Sequence, residues 1–218
     1  IKNCILQGVV TSAGAGVLTL GSTTIGGSGN SNNVIQNNDI TRGTASRPAV
    51  CVYNAGLAGS PNTANVISGN RIMDFSSLGF SDGNGTTEGY SNNTQFSYNE
   101  IFQNSSATTA LSGVQLNNAL GITNMFLFKN YIHDLTTSST GTLVGINLFD
   151  AASVQVSNNM IALSNATGNI RGIAQQLGLG STANVYYNTV SIYGSTTSTY
   201  VSFCLLKNFT SIGDNIKN

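Results

Sequence analysis

The most informative feature of this 218-residue chain is how little charge it carries. Only 7% of residues are Asp, Glu, Lys or Arg, far below the usual quarter of a soluble domain. The eight basic residues equal the eight acidic ones. A balanced, sparse set of charges argues against a nucleic-acid-binding face, which needs clustered positive charge. Proline occurs twice and tryptophan not at all. That scarcity of proline and charge sets the chain apart from disordered sequences, although glycine occurs 25 times. The three cysteines, Cys4, Cys51 and Cys204, are odd in number, far apart and in no CxxC, so no disulfide framework is indicated. They are expected to be small buried or half-buried residues. No run is long and apolar enough to cross a bilayer. No signal peptide is visible, and the first residue is Ile1, which is expected of a mature chain or an excised piece.

What is present is a core-forming fraction of 40% hydrophobic residues and a polar surface of Asn, Ser, Thr, Gln and Gly. These residues are ordered by a repeat. A box of the form Asn-x-Ile recurs in NNDITRG (37–43), GNRIMDF (69–75), YNEIFQN (98–104), KNYIHDL (129–135), NNMIALSN (158–165) and YNTVSIY (187–193). Its Asn column reads Asn3, Asn38, Asn70, Asn99, Asn130, Asn159, Asn188 and Asn218, at spacings of 35, 32, 29, 31, 29, 29 and 30. A period near thirty sustained over the chain marks a repeat architecture. Two residues after each Asn stands an apolar residue: Ile5, Ile40, Ile72, Ile101, Ile132, Ile161 and Val190. Three residues before it stand Ile35, Ile67, Phe96, Leu127, Val156 and Val185. The position between Asn and Ile varies freely, which is the alternation of a strand with one buried face. Further apolar stretches near 49–53, 112–116, 144–149, 171–175 and 201–205 give each period two or three short strands. No stretch has helical spacing, so no helix is available to pair with the strands.

These observations predict an all-β fold, a right-handed parallel β-helix of about seven coils of about 30 residues, the hand following the rule for parallel crossovers. Residues 1–218 form a single solenoid domain. Both ends read IKN at the same phase of the repeat, with no visible cap, which is expected of an uncapped segment of a longer solenoid. The box Asn is expected to be structural. Its carboxamide donates and accepts, so a stack of Asn can satisfy backbone groups at a corner, and Asn tolerates the left-handed backbone that corners need.

The segments ANVISGNRI (64–72) and VQVSNNMI (154–161) resemble parallel β-helix repeats of the pectate-lyase-like superfamily and its NosD-type relatives. The polar, Asn/Ser/Thr/Gly-rich dressing is similar to that of large secreted bacterial surface proteins, including type IX secretion cargo. The resemblance implies a secreted or cell-surface location. It admits both structural proteins and enzymes acting on polysaccharides.

Candidate chemistry is thin. Asp39, Arg71 and Glu100 share one column, and Arg42, Asp74, Gln103 and Asp134 another, which suits surface ion pairs. A catalytic or calcium site from Asp74, Glu100 and Asp134 is the weaker alternative. In SDGNGTTEG (81–89), Asp82, Asn84 and Glu88 are oxygen ligands in a glycine-rich loop, a possible calcium site and the one cofactor indicated, although the loop lacks EF-hand spacing. His133 is the one histidine, and packing at a corner is the expected role. Tyr131 is an outward aromatic that could meet sugars. The expected function is a non-catalytic structural or adhesive segment of a secreted surface protein or extracellular filament. The alternative is a carbohydrate-active module: a lyase, hydrolase or glycan-binding β-helix. The expected partners are adjoining coils of the same or neighbouring chains, surface glycans and secretion machinery, with no nucleic acid and no membrane insertion.

Overall fold

A computed structural model describes residues 1–22, 27–44, 46–83, 85, 88–118, 121–164, 167–176, 181–193, 199–208 and 214–217. The chain is an all-β parallel solenoid of about six turns of about 31 residues, with no helix among the described residues. Three seven-stranded sheets run its length. Sheet I holds the strands that precede the box Asn: Val34–Gln36, Val66–Ser68, Gln95–Ser97, Met125–Phe128, Ser153–Ser157, Thr182–Tyr186 and Asn215–Lys217. Sheet II holds those that follow it, from Ile5–Gly8 to Thr189–Tyr193. Sheet III lies half a period away and runs from Gly16–Gly21 to Ser202–Lys207. A fourth sheet of three two-residue strands, Asn62–Thr63, Ser91–Asn92 and Ile122–Thr123, is confined to the middle turns.

Every strand pairing in these sheets is parallel and joins equivalent strands one turn apart, so like residues stack; the register shifts only between Leu116 and Asn117, where the strand Leu111–Asn118 bulges against Leu143–Ala151. In sheet II, Ile40 pairs with Ile72, Ile72 with Ile101, Ile101 with Ile132, Ile132 with Ile161 and Ile161 with Val190. In sheet I the inward column is Ile35, Ile67, Phe96, Leu127, Val156 and Val185. Both columns are buried in one continuous core, apart from half-buried Val190. The first turn departs from the expected alignment by one residue. Leu6, not Ile5, pairs with Ile40, and Ile5 is 72% exposed.

Sheet III explains residues that the repeat left unassigned. Gly79, Gly113, Gly145 and Gly172 occupy one column. A methyl added at Gly113 would lie 2.9 Å from Ile132 Cγ2, and one at Gly145 would lie 2.7 Å from Ile161 Cγ2. The absent side chains let the Ile column of sheet II close against this wall. Cys51 and Cys204 extend the same column, and their thiols approach backbone carbonyls of Ile40, Met73 and Val190. Cys51 is buried, and burial pushes its thiol up, so it stays protonated. Cys4 and Cys204 are exposed rather than buried as expected, and all three thiols are free.

Overpacking a closed core costs about 1–3 kcal/mol. Gly145→Ala is therefore expected to lower stability by about that amount in urea titration. Gly21→Ala, whose added methyl would find its nearest neighbour at 3.6 Å, is expected to be near neutral.

Candidate functional site

The corner between sheets I and II is built by two columns. The first sits just before the box Asn and holds Asn37, Gly69, Tyr98, Lys129, Asn158 and Tyr187, all with φ between 55° and 66°. This column carries the left-handed turn. The sequence reading gave that conformation to the box Asn itself. A left-handed residue other than glycine costs about 1–2 kcal/mol, so something must hold it.

The second column holds it. Asn38, Asn70, Asn99, Asn130 and Asn159 are at most 2% exposed. The backbone N–H of each donates to the Oδ1 of the Asn one turn on, at 3.0 Å throughout, and the series ends on Asn188. The Nδ2 of each donates to that same Oδ1, at 2.9–3.1 Å. Its second hydrogen goes to a backbone carbonyl of the preceding turn, Ile67 for Asn99 and Phe96 for Asn130. Each interior carboxamide thus makes four hydrogen bonds, its full capacity. Asn3 is not part of this ladder. It has φ 56° and aligns with Asn37, while the N–H of Cys4 donates to Asn38 Oδ1 at 3.0 Å. The 35-residue first spacing was the sign of that offset. Asn218 lies outside the described residues.

A second, shorter ladder was missed. Asn33 donates from its backbone and from Nδ2 to Asn65 Oδ1, at 2.9 and 3.0 Å. It stands five residues before the box Asn in two turns, then gives way to Thr94, whose buried hydroxyl has no partner. The signal was there in the Asn-x4-Asn spacing.

The expected calcium loop is arranged otherwise. Ser81 and Asp82 end the sheet III strand Leu78–Asp82, and the Asp82 carboxylate is fully buried. Its Oδ2 accepts from Ser91 Oγ at 2.7 Å and Asn54 Nδ2 at 3.1 Å, while Oδ1 has no partner. Asn62 donates to Asn54 and to the Leu20 carbonyl. The Glu88 carboxylate accepts from the Tyr53 hydroxyl. Asn84 lies outside the described residues. Among the described residues no group of three His, Cys, Asp or Glu could hold a metal. The interior polar chamber spans two turns: the facing pairs Asn54–Asn62 and Asp82–Ser91 are followed by Leu116 and Ile122. Burial pushes the Asp82 carboxyl from 3.8 up to about 7, and the bonds from Ser91 and Asn54 pull it partway back.

Apart from the Lys207–Asp214 pair, the ion pairs among the described residues form two separate groups. On sheet II, Arg71 pairs with Asp39 at 3.2 Å and with Glu100 at 3.3 Å, the expected ion-pair column. His133 Nε2 meets Glu100 Oε1 at 3.1 Å, and Nδ1 meets Asp134 Oδ2 at 2.8 Å. The imidazole stacks on Tyr131 at 4.1 Å and on Phe102 at 5.3 Å, and Arg71 lies over Phe102. Asp74 belongs to the other group. It is buried, and its carboxylate accepts from the backbone and side chain of Asn104. Arg42 and Arg47 lie 3.8 and 3.9 Å from it. Arg47, not singled out from the sequence, also bonds Gln103 and Ser105, tying the chain after Gly43 onto the wall. Thus His133 bridges Glu100 and Asp134, while Asp74 is committed to Asn104 and the two arginines.

No protein-family model matches this chain, and no curated protein or solved structure matches it either.

Asn130→Ala would strand the Asn99 N–H and the Phe96 carbonyl, at about 1–3 kcal/mol for each buried group left unpaired. A loss of about 3 kcal/mol or more is expected in urea titration, whereas Asn3→Ala should cost well under that.

The folded chain keeps a proton on Asp82 that the unfolded chain releases near pH 3.9. Its contribution is therefore full below about pH 4 and is lost as pH rises to about 7. Asp82→Asn should flatten that part of the stability–pH curve and raise stability at pH 8.

Proposed function

We propose that this chain is a non-catalytic structural or adhesive segment of a large secreted cell-surface protein or extracellular filament, akin to pectate-lyase-like and NosD-type β-helices. The observation that carries this reading is the Asn ladder, unbroken from Asn38 to Asn188, with each interior carboxamide fully bonded to its neighbours. A device repeated without interruption stiffens a rod along its length. The partners in this reading are further coils, surface glycans and the secretion machinery. The sheet II charges suit it too, since Arg71 is already shared between two carboxylates. Surface pairs of that kind contribute only about 0–1 kcal/mol each and cost little to maintain.

A second reading, a carbohydrate-active module, is favoured by one feature. Glu100, His133 and Asp134 form a carboxylate–imidazole–carboxylate array on an outward face beside Arg71. Such an array can move protons at a bound sugar.

Electron cryo-microscopy of the native material separates the two. Long fibres with an axial spacing of about 4.8 Å are expected. Short monomeric rods, together with polysaccharide depolymerisation that Glu100→Gln and His133→Ala both abolish, would replace the structural reading with the enzymatic one.

A further inference from the structure

One inward column of sheet III reads Leu20, Asn54, Asp82, Leu116 and Leu148, polar for two consecutive turns between leucines. The short strands of the fourth sheet face it with Asn62, Ser91 and Ile122. Asn54, Asn62 and Asp82 are wholly buried, and Ser91 is 1% exposed. Asn62 Oδ1 accepts from the Asn30 backbone at 2.7 Å, and its Nδ2 donates to the Leu20 carbonyl at 2.7 Å and to Asn54 Oδ1. Asn54 Nδ2 and Ser91 Oγ then both donate to Asp82 Oδ2. The series of bonds ends on that one carboxylate, whose other oxygen, Oδ1, is buried without a partner.

Neither form of Asp82 is satisfied by the protein alone. In the protonated form the O–H lies on Oδ1, because Oδ2 already accepts two hydrogen bonds, and no protein acceptor is within reach of it. In the ionised form the charge has no counter-charge. The strands Val50–Ala55 and Leu111–Asn118 pack on either side of the Asp82 strand, and Asn62–Thr63 and Ser91–Asn92 close the chamber opposite. None of these four strands contains Asp, Glu, Lys, Arg or His. Their titratable groups are Cys51, whose thiol burial keeps protonated, and Tyr53, whose hydroxyl donates to the Glu88 carboxylate. A buried carboxylate without a counter-charge is far costlier than an apolar residue at the same place, and Leu116 fills the same column one turn on.

The chemistry of the missing partner follows from the atoms present. The acceptors of the chamber are all oxygens, from Asp82, Asn54, Ser91 and the Leu20 carbonyl. Hard oxygen ligands select alkali and alkaline-earth ions. A divalent ion would need further charge, and no group of three His, Cys, Asp or Glu among the described residues supplies it. We propose that this interior chamber binds one monovalent cation, sodium or potassium, at Asp82 Oδ1, in exchange for the carboxyl proton. The carboxylic acid gives its proton to solvent and the carboxylate takes the ion, so the net charge of the chamber is the same before and after, as a low-dielectric interior requires. Burial holds the Asp82 carboxyl near pH 7, which places the exchange in the neutral range. The ion sits between strands of successive turns and pins them together. This site is interior and stands apart from the proposed function, whichever reading of the outer surface holds.

The test is thermal unfolding of the intact chain in sodium, potassium or choline chloride at equal ionic strength, choline being too large for the interior. At about pH 8.5 the midpoint should rise by about 3 °C or more over choline in sodium, in potassium or in both, and the larger rise names the ion. At about pH 4.5 the rise should vanish, because the proton holds the site. Asp82→Asn should abolish it, while Asp39→Asn, on the outward column of sheet II, should retain it. In weakly buffered solution at about pH 7.5 the same salt should release protons from the wild-type chain and none from Asp82→Asn. Equal midpoints in all three salts at the higher pH would overturn the proposal and leave a buried water as the partner of Oδ1. A rise that survives Asp82→Asn, or is as large at the lower pH, marks a general salt effect and overturns it as well. If Asp82→Asn does not fold, the pH comparison and the proton release of the wild-type chain decide the question by themselves.

Discussion

The whole architecture depends on one constraint: a polar group taken into the corner of the coil must find its partner one turn away. The strands of sheets I, II and III satisfy most of the backbone along the walls. They cannot do so where the chain turns. There the Asn column supplies a side chain that accepts twice and donates twice, and its partners exist only if the next turn repeats the same residue at the same height. The ladder thereby fixes the register. A slip of one residue would turn the Ile columns outward and leave about five carboxamides without partners at once, so the penalty is collective.

Once the register is fixed, the remaining side chains are sorted by column. The Ile column of sheet II needs depth on the opposite wall, and glycine at 79, 113, 145 and 172 provides it. Where the inward column of sheet III turns polar, at Asn54 and Asp82, the facing column turns polar at the same height, with Asn62 and Ser91. Arg47 acts comparably on the outside, anchoring the chain after Gly43 to Asp74 and Gln103. Each is a local answer to the same question of where a buried polar group finds its partner.

The exterior is sorted by charge. Sheet II gathers acids around Arg71 and His133, while sheet I carries lysines, amides and tyrosines. With only eight charges of each sign in the chain, this segregation is not visible as a basic or acidic region of sequence, since the residues of one face are about 30 positions apart. It becomes a surface only through stacking.

The sequence alone determined the class of fold, the period, the inward columns from Ile40 and Ile35 onward, and the box Asn from Asn38 to Asn188. These are legible because parallel stacking writes the same residue type at the same phase every turn. The first turn misled, because Leu6 and Cys4, rather than Ile5 and Asn3, take the repeated places, and an irregular spacing conceals an offset of one. Only the tertiary structure decided which residue carries the left-handed turn, since Asn, Gly, Tyr and Lys all fill that column and share no side-chain chemistry. It also decided that Asp82 faces the interior rather than a loop, because one position along a strand separates the two faces. Finally, it brought His133 against Glu100, and Lys129 against Tyr98, each one turn removed. Contacts between turns depend on side-chain direction and reach, and a one-dimensional repeat specifies height along the rod but neither of those.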